Sequence, residues 1–233
     1  MARPYLIFRG TSTETLGLYV TEMPSHKKAS MRVTKYNLAG RDGELHVQEG
    51  LNAYDLPVKV SMWDMTANNR QVITAWADGT GKLISSDDLT RCWDASVIDE
   101  ITFTRKRMSN GHFMDEATIR FHCQPYMRES VESSYVFTDD GNILNLGNVE
   151  SLPLIKVTGS GNCGLAIGDQ QISLTGVQTS HPVFIDSEAG YVYTDSGNAT
   201  MVGNFPVIGY GTTSVTLTGG TTRLDITPRW GWV

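Results

Sequence analysis

Long apolar runs are missing from this chain. None of its 233 residues belongs to a stretch approaching the roughly 20 apolar residues that cross a bilayer, and the opening Met-Ala-Arg-Pro has no signal-like apolar core. The expectation is a soluble protein without membrane insertion and without an N-terminal export signal. Cysteine is scarce. Cys92, Cys123 and Cys163 are odd in number and widely spaced, which disfavours a disulfide framework or a zinc site and suits buried free thiols in a reducing cytosol. Catalytic groupings are also missing. His26, His46, His112, His122 and His181 form no i, i+4 pair, and no Ser sits in a G-x-S-x-G elbow. The expectation is no enzyme: no catalytic residue, no cofactor, no metal.

Positive charge is thin, and unevenly so. Residues 1–135 hold 16 Lys/Arg against 17 Asp/Glu, whereas residues 136–233 hold 3 against 8, and 15 of the 23 glycines lie in that second part. A net charge of −6 is a poor counterion source for phosphate, so specific nucleic-acid binding is disfavoured. It does suit a conduit through which DNA passes without being gripped. The length fits two domains of ordinary size, and the composition shift sets their bounds at 1–135 and 136–233.

What is present reads mainly as strand. Tyr5 to Phe8 and Gly17 to Val20 open the chain, and Gly40-Arg-Asp-Gly43 marks a turn leading out of an extended segment. Val58, Val60 and Met62 alternate as a half-buried strand should. The period then changes: residues 66–77 place Val72, Ile73 and Trp76 about a helical turn apart, with Thr66 or Asn68 as cap and Gly79 as stop. Residues 98–123 read as one long hairpin around Asn110-Gly111. A three-residue or bulged loop is preferred, setting Ile101 against Phe121 and Phe103 against Ile119. Arg105, Lys106 and Arg107 then face Asp115 and Glu116, a charged tip suited to a neighbouring subunit. Beyond residue 135, short strands recur between Gly, Asn and Asp, the pattern of an antiparallel sandwich.

Several motifs have competing readings. Gly159-Ser-Gly-Asn-Cys-Gly164 fits a dinucleotide pattern, but Leu165, Ile167, Ile172 and Leu174 alternate around a Gly168-Asp169 turn, so the glycines read as belonging to a hairpin. Gly79-Thr-Gly-Lys82 lacks the leading Gly and the final Ser/Thr of a phosphate loop. Asp186 and Glu188 could be an acid–base pair or calcium ligands, and read more simply as a solvated strand edge. Tyr191, Tyr193, Trp230 and Trp232 offer aromatic faces for a saccharide, against core or subunit contact as the plainer account.

One ordered string remains: Asn145-Leu-Gly-Asn148, Ser151-Leu-Pro153, Ile185-Asp-Ser-Glu188 with Tyr191 and Tyr193, and Phe205-Pro206 before Gly211. Together with Gly40-Arg-Asp-Gly43, a helix ending near a Trp, and a hairpin closing on Cys123-Gln-Pro125-Tyr126, it resembles the distal tail (Dit) proteins of long-tailed bacteriophages. The resemblance covers nearly the whole chain. It implies an N-terminal β-rich domain that assembles into a homo-hexameric ring, and a C-terminal galectin-like or carbohydrate-module-like β-sandwich. It further implies a place at the virion tail tip or baseplate after assembly in the host cytoplasm. The implied partners are the tail tube protein, the tip hub protein and receptor-binding or other baseplate proteins, with DNA leaving through the lumen. The family has no catalytic residues to transfer.

Overall fold

The computed structural model of the chain describes residues 3–25, 27–40, 42–195 and 200–233, so His26 and Arg41 lie outside it. The fold is mainly β, with one α-helix among the described residues. Contacts divide it into two compact units, one formed by residues up to Ser130 and one by Val131–Trp232.

The first unit runs β1 (Leu6–Phe8), β2 (Thr11–Ser12), β3 (Tyr19–Glu22), β4 (Met31–Asn37), β5 (Glu44–Leu51), β6 (Tyr54–Trp63), α1 (Ala67–Ala77), β7 (Gly79–Ser85), β8 (Asp88–Val97), β9 (Thr104–Arg107) and β10 (Phe113–Glu129). Its main sheet has the order β2-β1-β7-β8-β10-β6-β3, with β9 added to β10. Alternation in β6 buries Leu56, Val58, Val60 and Met62 against Ile119 and Phe121 of β10. Helix α1 starts at a reciprocal cap: Thr66 Oγ1 accepts from Asn69 N (3.2 Å), and Asn69 Oδ1 accepts from Thr66 N (3.0 Å). It ends where Gly79 takes φ +97°, a conformation that favours glycine. Ile73, Trp76 and Ala77 are its buried face, whereas Val72, expected to join them, is 46% exposed.

Trp76 fixes the helix to the sheet. Its ring meets Phe8 and Phe121 edge-on at 5.8 and 6.4 Å, and Phe8 meets Phe121 at 5.2 Å. Its Nε1 donates to Phe8 O (3.1 Å) and Thr11 O (3.3 Å), so the buried indole leaves no orphan donor.

Strands β4 and β5 pair only with each other, as a two-stranded ribbon. Sequence reading marked the turn between them but missed β5. The cross-strand partners Tyr36–Leu45 and Thr34–Val47 share one face, and Lys35–His46 and Asn37–Glu44 the other. Tyr36, Leu45 and Val47 are 52%, 45% and 44% exposed.

The second unit runs β11 (Tyr135–Phe137), β12 (Gly141–Leu144), β13 (Leu154–Ile167), β14 (Gln170–Val177), β15 (Val183–Asp186), β16 (Tyr191–Thr194), β17 (Thr200–Val202) and β18 (Thr212–Thr227). Strand β13 meets β15 with its first half, β14 with its second, and β18 along its length. The glycines of residues 159–164 therefore form no turn between strands. They are the irregular middle of β13, where the β13–β18 register shifts twice. Backbones touch there: a Cβ on Gly220 would lie 2.0 Å from Ser160 O, and one on Gly159 2.4 Å from Gly220 O. The Gly168-Asp169 turn stands as expected, joining Ile167 to Gln170 across the β13–β14 hairpin. Ile155, Val157, Leu165, Leu174, Ile185, Val215, Ile226 and Trp230 lie in one core cluster.

Candidate assembly surfaces

The long hairpin needs correction. Its second arm is β10, but the first arm is interrupted: β8 ends at Val97 and only Thr104–Arg107 rejoins as β9. The loop has the expected three residues, because Met108 N donates to His112 O (2.9 Å) across Ser109, Asn110 and Gly111. The register is displaced by two from that proposed. Arg105 pairs with Asp115, Lys106 with Met114 and Arg107 with Phe113, and Ile101 and Phe103 fall outside any strand.

The tip is clamped within its own unit. Asp115 is wholly buried, and Arg105 straddles it with Nε 3.2 and 3.1 Å and Nη2 2.9 Å from its oxygens. Arg70, from α1, donates to the same carboxylate at 2.8 Å. Arg105 also reaches Met65 O and lies 5.2 Å from the Phe113 ring centre. Burial alone would raise the Asp115 pKa, but the hydrogen bonds from Arg105 and Arg70 outweigh it and hold it below the ordinary carboxylate value. Asp64, at φ +48° in the turn after β6, binds the tip, accepting from Phe113 N (2.9 Å) and His112 Nδ1 (2.7 Å). Phe113 N, then His112, depresses the Asp64 pKa. Asp115 is therefore an internal bolt and no contact for a neighbour, because its charge never reaches the surface. Lys106, which pairs with half-buried Glu116, and Arg107, Asn110 and Gly111 are exposed.

Asp186 also differs from expectation. Far from a solvated edge, it is 7% exposed, and Arg229 grips it with Nη1 at 2.7 Å and Nη2 at 3.0 Å. Glu188 N and Ala189 N add bonds of 3.1 and 3.0 Å. The Arg229 hydrogen bond leads the depression of its pKa. Arg229 itself sits at φ +59°, a strained conformation of order 1–3 kcal/mol held in place by this pairing. No sequence spacing links residues 186 and 229.

The saccharide faces fare poorly. Trp230 is completely buried and can present no face to a ligand, because it belongs to the core cluster and meets Tyr135 edge-on at 6.3 Å. Trp232 packs partly on the same core. Tyr193 stacks on Phe184 at 5.0 Å and 10°, Tyr191 leans on Tyr193 at 5.3 Å, and Lys156 lies over Phe184. The flat faces a pyranose would cover are largely spent on each other. Tyr191, 51% exposed, is the most open of the four.

One row has the look of chemistry. Ser96, His122 and Asp55 are successive cross-strand neighbours, and His122 Nδ1 lies 2.8 Å from Asp55 Oδ1. A nucleophile also needs a hydrogen bond to the ring and free N–H groups for an oxyanion. Ser96 makes no such bond, and it lies in β8 between partners on both sides, Thr80 and His122.

No family model and no curated protein matches the chain. Among solved structures, the SPP1 Dit (gp 19.1) crystal structure aligns with 100% of both chains at a TM-score of 0.78 and 15% identity. This chain has the Dit fold. The SPP1 protein is described as a paradigm of the hub adsorption apparatus in phages infecting Gram-positive bacteria. Chains of the phage P2 baseplate in its activated conformation align less well. With Ca, one covers 97% of each chain at TM-score 0.47 and 11% identity; with Sr, 97% and 98% at 0.44 and 10%. Those two scores are too low to argue from. At 15% identity the two chains have few side chains in common, so residue roles do not travel with the fold.

Proposed function

We propose that this protein is a structural component of a phage tail tip. It works by self-association into a ring, hexameric by resemblance, that joins the tail tube to the baseplate or tip and leaves a channel for DNA. The observation that supports the reading best is the end-to-end correspondence with the SPP1 Dit fold. In this reading the first unit builds the ring, and the second is a galectin-like sandwich at the periphery that docks receptor-binding or other baseplate proteins. The tail tube protein and a tip hub protein are its axial neighbours, and the assembled particle is put together in the host cytoplasm.

The ribbon β4–β5 replaces the clamped hairpin tip as the best candidate for contact between subunits, because its apolar face is open. The test is light scattering coupled to size-exclusion chromatography, with negative-stain microscopy, on the chain alone and mixed with tail-tube subunits. Closed rings are expected. A chain that stays monomeric in both conditions refutes the reading.

A further inference from the structure

The interrupted arm of the hairpin leaves a gap inside the main sheet. Strand β10 pairs with β6 without a break from Met114 to Cys123. On its other side, residues 97–103 run between the pairs Ser96–His122 and Thr104–Glu116, against only residues 117–121 of β10, so the outer chain is two residues too long. His112 O accepts from Met108 N, whereas Phe113 O accepts from Asp64 N just beyond β6. Even-numbered residues of β10 therefore turn their peptide groups toward β9 and β8, and odd-numbered ones toward β6. Thr118 and Arg120 face the gap, and among the described residues no backbone hydrogen bond reaches them from that side.

The residues beside the gap offer a second fit. Moving β9 two residues along β10, toward β8, keeps every side chain on its own face, because strands alternate with a period of two. Thr104 would then pair with Thr118 and Thr102 with Arg120, which closes the gap. Ile101 and Phe103, half-buried and outside any strand in the observed register, would lie opposite Phe121 and Ile119 on the buried face. Arg107 would take the place of Arg105 opposite Asp115, while Arg70 keeps its own bond to that carboxylate. Lys106, which reaches Glu116 diagonally from its place opposite Met114, would stand directly across from it. The loop would still have three residues, Asn110, Gly111 and His112. Its last position, however, favours the left-handed conformation that Gly111 adopts there in the observed register (φ +86°), and His112 would have to take it. Turn chemistry thus favours the observed register and strand pairing the shifted one, and the alternation Arg105-Lys-Arg107 lets both hold Asp115.

We infer that β9 is a two-position element, which exchanges between the observed register and one shifted by two residues, about 7 Å along β10. The shift closes the gap, trades Arg105 for Arg107 on Asp115 and leaves residues 97–100 as the link between β8 and β9. Neither register depends on assembly into a ring, so the device and the ring reading stand or fall separately.

Cysteine pairs read the register directly. Thr104 and Glu116 face each other in the observed register, whereas Thr104 and Thr118 are diagonal neighbours, about 7–8 Å apart and beyond a disulfide without movement. Three double variants of the full chain, Thr104→Cys with Glu116→Cys, with Thr118→Cys and with Arg120→Cys, are oxidised under native conditions with copper phenanthroline. Intramolecular disulfides are counted by mass spectrometry after alkylation. The native Cys92, Cys123 and Cys163 are buried, and circular dichroism checks that each variant folds. The first pair should close quickly and the second more slowly, while the third stays reduced. Adding Arg105→Gln should speed closure of the second pair about tenfold, because it removes the charged hydrogen bonds that hold the observed register, and adding Arg107→Gln should slow it. A second pair that closes no faster than the third overturns the inference. So does an Arg105→Gln background that speeds all three pairs alike, which would mean a loosened hairpin with one register, or an Arg107→Gln background that changes nothing.

Discussion

Replacing Asp115 with Asn removes a buried charge and keeps the side chain's shape. Both guanidiniums that now bind the carboxylate, Arg70 and Arg105, would face each other without it. Breaking a fully buried ion pair costs about 3–5 kcal/mol. Here the two arginine side chains remain 38% and 41% exposed, so water offsets part of the loss and about 2–3 kcal/mol is the better figure. For a unit of this size that is a drop in melting temperature of about 6–15 °C. Differential scanning calorimetry reads it, with the second unit as an internal control. The sign of the pH dependence follows from the depressed carboxyl pKa. The stabilisation is complete above the unfolded value of about 3.9 and is lost as pH falls through the lower folded value. The gap between wild type and Asp115→Asn should therefore hold from pH 8 to about 5 and close in more acidic buffer. A gap under about 2 °C at neutral pH, or one that survives acid unchanged, would refute the bolt.

Other perturbations follow the same logic. Trp76→Ala removes two edge-on ring contacts and both indole hydrogen bonds, so the first unit should lose about 3–5 kcal/mol in urea titrations, and amides of α1 should exchange faster. Gly220→Ala forces a methyl against Ser160 O and should cost about 1–3 kcal/mol or more, whereas Gly209→Ala, with open space around it, should stay within about 0.5 kcal/mol by the same measurement. Asp186→Asn releases Arg229 and should make the turn at residues 187–190 a new site of limited proteolysis at neutral pH. Because the Asp186 pKa is also depressed, wild type should acquire the same sensitivity on acidification below the ordinary carboxylate range.

The elements that sequence reading located are those whose pattern is set by burial. Strand β6 alternates because every second side chain enters the core, and α1 places Ile73 and Trp76 on its inner face for the same reason. Strand β5 was missed because the ribbon has no buried face to impose a period. The short strands read beyond residue 135 merge in part into the long β13 and β18, because glycine in a sequence looks like punctuation. In the fold, Gly159, Gly219 and Gly220 instead let two continuous strands approach and bend. The Asp186–Arg229 bolt was invisible, since nothing local marks two residues brought together by topology. The hairpin register was off by two because Ile101 and Phe103 were assumed to belong to a strand they leave.

The ribbon's energetics explain how such a surface can exist on a free subunit. A lone two-stranded hairpin is marginal in water. Exposed ion pairs flank that surface, Lys35–Glu44 at 3.1 Å on the opposite face and Arg32–Glu49 at 3.7 Å on the Tyr36 side, each worth at most about 1 kcal/mol. Covering Tyr36, Leu45 and Val47, each already about half buried, recovers roughly 1 kcal/mol apiece, or about 3 kcal/mol per ribbon. That alone falls short of even millimolar pairing, which needs about 4 kcal/mol. In the closed ring proposed above, however, every subunit would make such contacts with both neighbours, and the last contact would form within the assembly at high effective concentration. A contact too weak to hold two free copies can thus hold a circle.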